Sequence, residues 1–316
     1  MTAETDDPAR AGRAVLEQAG RENFPVAPGF LPRAWRDGLM AVYGCARLID
    51  DTGDGDLAPG GADARLLGVA PERAGDRLAM LDALEADLHR AFAAADDPSA
   101  PPPGHPLLAA LIPVVRRHAL TPRPFLDLIA ANRQDQRVSR YADWDALLGY
   151  CALSANPVGR LVLAVTGTAT AERERRSDAV CTALQVVEHL QDVAEDLARD
   201  RIYLPEADLD RFLVTESDLA APTANASVRA LVAFETDRTR ALLAEGDALV
   251  HSVDGRLRLL LAGFVGGGRA AADAITAAGF DVLAGPPRAP RLGRLRAVGA
   301  TLSRKGMTDQ WSVHRP

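Results

Sequence analysis

Two short acidic segments carry the residues best suited to chemistry. "ARLIDDTGDG", residues 46–55, sets Asp50, Asp51 and Asp54 close together at the end of a stretch that otherwise reads as a buried apolar helix. Residues four apart stand one above the other on a helix, so Asp50 and Asp54 share a face that Tyr43 and Arg47 extend backwards. Further on, Gln185 and "EHLQDVAEDLARDRIYLP", residues 188–205, place Gln185, Glu188, Asp192 and Asp196 at steps of three, four and four, again predicting one face of one helix. Like charges at that spacing repel by roughly a few tenths of a kcal/mol on an open surface and by more once water is withdrawn. One such run is ordinarily a solvated face or a helix cap. Two of them, each beside apolar helix faces, ask for a shared cation. Mg²⁺ takes oxygen ligands, accepts one or two carboxylates and completes its shell with water and substrate phosphate. Facing carboxylate stripes therefore predict a clamp for a diphosphate. A diphosphate neutralised in this way is a good leaving group, and an allylic one leaves a carbocation that an apolar, water-poor cavity would have to guide.

The elements that must position these residues are helices. Apolar residues recur at three- and four-residue spacing through 33–51, 75–94, 107–119, 124–137, 143–168, 176–198, 227–251 and 256–279, while strand signals are nearly absent, which predicts an all-α fold with helices around a central apolar cavity. Val186, Val187, Leu190, Val193 and Leu197 flank the second stripe and are expected to pack its back into the core. The breaks at "TGDGDLAPGGADA", "DDPSAPPPGHP", "TPRP", "LPEADL" and "AAPTANAS" are rich in Pro, Gly, Asp or Asn and read as loops within one domain. "GFVGGGR", residues 263–269, continues a helical pattern without a preceding strand, so it is a poor phosphate loop. The expected organisation is an N-terminal segment over 1–19, one catalytic domain over 20–285 and a basic tail over 286–316.

Composition narrows the partners. A formal charge of −7 and a pI near 5.4 leave no general attraction to nucleic acid. Cys45, Cys151 and Cys181 are odd in number, far apart and free of any CxxC pattern, so neither a zinc site nor a disulfide scaffold is expected. The acidic N-terminus lacks the apolar stretch of a signal peptide, and no uninterrupted apolar run of bilayer length stands out, so a cytoplasmic protein is expected. After Gly285 the chain turns basic, with Arg288, Arg291, Arg294, Arg296, Arg304, Lys305 and Arg315 against Asp309 alone. A solvated terminus is the ordinary reading of such a tail; peripheral contact with anionic lipid on the inner membrane face is the functional one. His189 is the histidine next to the acidic stripe, and because Glu188 faces that stripe, His189 is expected to turn away and pack.

These residues resemble the squalene and phytoene synthase family, head-to-head isoprenyl condensing enzymes with an all-α fold. "YGCARLIDDTGD" is similar to the family's first aspartate-rich motif, "LQDVAEDLARDRIYLP" to its second, and "RYADWDALLGYCALSANPVGRLVL" to its central helix. "ENFPVA" at 22–27 and "SANPVGR" at 154–160 resemble the hopanoid-pathway subgroup, HpnC, more closely than phytoene synthases. The resemblance implies that Asp50, Asp54, Asp192 and Asp196, with Glu188, hold Mg²⁺ on the diphosphates of an allylic substrate such as farnesyl diphosphate. It also implies that Arg47, Arg201 and Tyr203 bind phosphate oxygens, that Asn23, Phe24, Asn156, Val158 and Gly159 contact substrate, and that Tyr43, Tyr150 and Gln185 line the reaction centre. The subgroup joins two farnesyl diphosphates through presqualene diphosphate to hydroxysqualene. Two departures bear on the substrate pair: Glu188 stands where the family commonly has asparagine, and Gly55 stands where an acidic residue often follows the first motif. Transfer of a prenyl group to an aromatic acceptor is the alternative reaction. A non-catalytic helical protein on a membrane surface is the alternative of another class.

Overall fold

The computed structural model describes residues 26–57 and 60–304, and over these it is helical without a named strand. In order the helices are α1 (Arg33–Asp54), α2 (Ala62–Leu66), α3 (Arg77–Asp96), α4 (Pro106–His118), α5 (Arg123–Asp135), α6 (Trp144–Ser154), α7 (Asn156–Val165), α8 (Ala171–Gln191), α9 (Val193–Ala198), α10 (Glu206–Arg211), α11 (Glu216–Leu219), α12 (Ala226–His251), α13 (Gly255–Ala277) and α14 (Arg291–Ser303). Contacts gather into two compact units, one built from the chain up to Val138 with Ala152–Ala169, the other from Ser139–Cys151 with Thr170 onward.

In the first unit α1 is the central element, packed by α3, α4, α5 and α7. Its sequence explains this position: Leu39, Val42, Cys45, Leu48 and Ile49 form a buried stripe. Tyr43, Arg47 and Asp50 fall on the more accessible side. Small residues set how closely the neighbours approach. A Cβ on Gly38 would stand 2.9 Å from a Val165 methyl, and one on Gly53 would overlap the Asn132 side chain, 1.8 Å from Oδ1 and 2.8 Å from its Cβ. Gln136 Nε2 donates to the Gly53 carbonyl at 2.9 Å, so α5 is tied to the last turn of α1, where the first acidic motif ends. Gly55 then closes the helix in the left-handed conformation, φ 79°, with its N–H on the Asp51 carbonyl.

In the second unit α8 packs on α12 and α13, and α13 also packs on α14. "GFVGGGR" lies inside α13, where its glycines permit close helix crossings: a Cβ on Gly266 would stand 2.7 Å from the Val298 backbone, and one on Gly268 would stand 2.8 Å from a Leu184 methyl. The same packing explains the apolar composition of α13. By length and mean hydropathy Trp144–Val165 and Gly255–Ala277 could each cross a bilayer, although neither is an uninterrupted apolar run. Trp144–Val165 is two helices, and Leu257, Leu260, Leu261, Val265 and Ile275 of α13 are core residues.

Three expectations are corrected. The helix expected over 143–168 breaks at Ala155, where Pro157 enters the first turn of α7. The helix expected over 176–198 kinks at Asp192, so Gln185 and Glu188 belong to α8, Asp196 to α9, and Asp192 to the joint. Glu195 and Asp196 thereby occupy the first turn of a helix, where the backbone dipole favours negative charge. Finally, the stretch after Gly285 is no unstructured tail throughout: α14 occupies Arg291–Ser303.

Candidate active site

In the first unit the acidic motif is crowded on one helical turn and half. Arg47 Nε lies 2.8 Å from buried Asp51 Oδ1, and its Nη1 lies 3.6 Å from Asp50 Oδ2. One guanidinium thus answers two carboxylates, with Asp54 close by. Desolvation and the Asp54 charge push the Asp50 carboxyl up to about 7 against the pull of Arg47, and Asp51 and Asp135 add to the rise. Asp135, at the end of α5, is an acidic neighbour that the motif did not reveal. Asp50 still presents 53% of its side chain to solvent, so a cation can reach it. Asn156 is buried at the start of α7, with Val158 exposed and Gly159 half-buried behind it. Asn23 and Phe24 lie outside the described residues.

In the second unit four rings meet. Tyr141, Tyr150 and Tyr203 have centroids 5.3 to 5.6 Å apart. The His189 ring stacks on Tyr203 at 3.7 Å and 11°. Backbone pairing places two of the tyrosines: Ile202 N–H donates to the Ser139 carbonyl at 2.9 Å and Glu206 N–H to that of Tyr141 at 2.8 Å, so the segment leaving α9 runs beside residues 139–142. The turn before it uses Asp200 in the left-handed region, φ 59°, with Arg201 N–H reaching back to the Asp196 carbonyl at 2.8 Å.

His189 was expected to turn away from the site, and the structure corrects this. It stands four residues after Gln185, hence on the same side of α8, and Gln185 Nε2 lies 3.3 Å from His189 Nε2. Burial pushes its imidazole down to about 3, so the ring is neutral. With the amide nitrogen donating, Nε2 accepts and Nδ1 carries the proton, 3.9 Å from Asp196 Oδ2. A cavity of about 10 Å³, the size of one water, is lined by His189, Val193, Asp196, Arg201, Ile202, Tyr203 and Leu204. Asp196 is pushed up to about 7 by desolvation and then by Asp192, with Arg201 opposing. Asp192 is raised by desolvation and Glu195, while Arg288 and Arg199 lower it. Glu188 is half-buried on α8.

Among the described residues no three His, Cys, Asp or Glu side chains converge into a ready-made metal cage. The donor sets nevertheless suit Mg²⁺, which is commonly held by one or two carboxylates and the phosphates of its substrate. Each motif offers such a pair of aspartates with a member raised to about 7, first by desolvation and then by the neighbouring aspartate.

The helical fold is that of the isoprenoid synthases. It superposes with a TM-score of 0.72 on the crystal structure of squalene synthase HpnC from Alicyclobacillus acidocaldarius, at 41% identity, covering 86% of this chain and 94% of that one. A model of the squalene/phytoene synthase family matches residues 18–296. A hydroxysqualene synthase from Zymomonas mobilis is 34% identical over 228 residues, 70% of this chain and 67% of the relative. A phytoene synthase from Mycobacterium tuberculosis is 31% identical over 250 residues, 78% and 74% of the two chains. The chain belongs to the squalene/phytoene synthase family, and as a member it is a prenyltransferase.

Proposed function

We propose that this enzyme condenses two farnesyl diphosphates head to head, through presqualene diphosphate, to hydroxysqualene, with Mg²⁺ as its cofactor. The observation that carries the reading is the pair of aspartate motifs, Asp50 and Asp54 four residues apart in the last turns of α1 and Asp192 and Asp196 four apart where α8 passes into α9. Similarity to the hydroxysqualene synthase of Zymomonas mobilis supports the choice of product class. In this reading Asp50 and Asp54 hold metal on a substrate diphosphate, as do Asp192 and Asp196 with Glu188. Bound Mg²⁺ neutralises the departing diphosphate. Arg47, Arg201 and Tyr203 bind phosphate oxygens. Tyr150, Gln185 and Tyr43 line the reaction centre, while Asn23, Phe24, Asn156, Val158 and Gly159 contact the prenyl substrate.

Balance is simple: the first condensation expels one diphosphate and a proton, the second ionisation expels another diphosphate, and water captures the rearranged cation with loss of a proton. No reductant is consumed. Glu188 in place of the family's usual asparagine, and Gly55 where an acid often follows the first motif, favour the second reading, transfer of a prenyl group to an aromatic acceptor. Purified enzyme incubated with Mg²⁺ and farnesyl diphosphate, with and without aromatic acceptors, distinguishes the two by product mass.

A further inference from the structure

Arg201 and Tyr203 sit on the irregular stretch between α9 and α10, which begins in the left-handed turn at Asp200 and ends at Pro205. Backbone bonds from Arg201 N–H to the Asp196 carbonyl and from Ile202 N–H to the Ser139 carbonyl tie it down. Its pairing with residues 139–142 is an isolated bridge between Arg140 and Ile202, not a strand of a sheet. A ladder of main-chain bonds cannot therefore fix the place of the two side chains, and another group must do so.

The Arg140 side chain reaches this turn. Nη1 donates to the Asp200 carbonyl at 2.7 Å and to the Ser139 carbonyl at 3.0 Å, Nη2 to Asp200 Oδ1 at 2.9 Å and Glu216 Oε2 at 3.3 Å, and Nε to Glu216 Oε1 at 2.9 Å. A guanidinium carries five N–H donors in one rigid plane, and these five bonds use them all. None is left for a substrate. Glu216 is itself held, because it opens α11 behind a capping box in which Thr215 Oγ1 accepts from Asp218 N–H and Asp218 Oδ2 accepts from Thr215 N–H at 2.9 Å. Ion pairs with the exposed carboxylates of Asp200 and Glu216 would by themselves contribute little. The bonds to main chain act differently: one guanidinium nitrogen joins the carbonyl just before Arg201 to the carbonyl on which Ile202 hangs, and so sets the distance between the turn and its neighbour.

We propose that Arg140 is a positioning residue for the diphosphate: it holds the Asp200 turn, and through that turn it sets where the Arg201 guanidinium and the Tyr203 hydroxyl stand. It touches no substrate. The proposal rests on the reading of Arg201 and Tyr203 as phosphate-binding residues. Lysine is a poor replacement, since a single ammonium nitrogen cannot occupy the acceptor sites that a planar fork spans.

Calorimetric titration of the full chain with inorganic diphosphate in Mg²⁺ buffer, beside melting temperatures, tests it. R140Q is expected to weaken diphosphate binding by at least about tenfold, R140K by less, and R201Q by as much as R140Q. Because Arg140 acts through Arg201, the loss in R140Q/R201Q should fall well short of the product of the two single losses. A merely structural role would lower the melting temperature and leave the affinity of the folded protein unchanged. Wild-type affinity in R140Q, or in R140K should R140Q not fold, overturns the proposal, as does a double variant whose losses multiply; in either case a weakened R201Q leaves the phosphate-binding reading standing. Wild-type affinity in R201Q, or a wild type that binds no diphosphate, removes that reading and the proposal with it.

Discussion

A carboxylate that is desolvated and crowded by like charge on folding destabilises the chain when ionised, and Asp50 is in that position. Its folded pKa is raised from 3.8 to about 7, so the folded state binds the proton more tightly. Stability in metal-free buffer should therefore decline as pH rises between those two values and level off above them. Asp50→Asn is expected to flatten that decline in a series of melting curves, whereas a curve parallel to wild type would refute the crowding argument. Asp50→Ala and Asp192→Ala are each expected to abolish turnover yet keep the helical circular-dichroism spectrum, because each removes a proposed metal ligand and relieves like-charge crowding. Undiminished turnover in either would take the metal clamp out of the mechanism. Glu235 provides the same test away from the site. It is almost fully buried, shares Arg238 with Asp208, and is pushed up from 4.5 to about 8 by desolvation. Its contribution falls from pH 4.5 to about 8 with a slope of at most about 1.4 kcal/mol per pH unit. Glu235→Gln should be the more stable protein at the alkaline end, as read by urea midpoints at several pH values; equal midpoints for the two proteins there would contradict the assignment.

At the scale of elements, the acidic turn of α1 depends on α5 being close. Gly53→Ala puts a methyl into the Asn132 side chain, so overpacking should cost about 1–3 kcal/mol and displace the tie from Gln136 to the Gly53 carbonyl. A lowered melting temperature together with weaker turnover is expected; a variant with wild-type melting would show that α5 yields freely. Eight helical stretches were legible from periodicity, because buried stripes such as Leu39, Val42, Cys45 and Ile49 repeat at three- and four-residue steps. The breaks at Ala155 and Asp192 were not, since apolar spacing runs on through a kink that keeps its backbone hydrogen bonds: Asp192 N–H still reaches the Glu188 carbonyl at 3.0 Å, and Asp196 N–H that of Asp192 at 2.8 Å. The candidate site shows the same division. Aspartates at four-residue spacing announced themselves, whereas Tyr141 joins the ring cluster only through pairing between 139–142 and 202–207, which no local pattern encodes. His189 was within reach of the sequence, four residues after Gln185, and was missed because its neighbour Glu188 was taken to define the face. His189→Ala should lower turnover more than it lowers melting temperature if the ring holds Gln185 and Tyr203 in place, and the reverse pattern would reduce it to packing.

At the scale of the molecule, family and reaction rest on different grounds. Membership in the squalene/phytoene synthase family follows from a match across residues 18–296 and from the HpnC likeness at 41% identity. The product does not follow from membership, because relatives named for hydroxysqualene and for phytoene lie at 34% and 31% identity. Glu188 sharpens the question, because a carboxylate in place of an amide four residues before Asp192 would alter the ligand field offered to a metal. If Glu188 ligates Mg²⁺, Glu188→Asn should keep activity at a shifted metal optimum and Glu188→Ala should raise the Mg²⁺ requirement; identical metal titrations for all three proteins would remove it from the ligand set. The most direct measurement is the product of wild-type enzyme given Mg²⁺ and farnesyl diphosphate alone, identified by mass. Presqualene diphosphate at short times and hydroxysqualene at long times are expected, with diphosphate released in step; release of diphosphate without either C30 product would contradict the account.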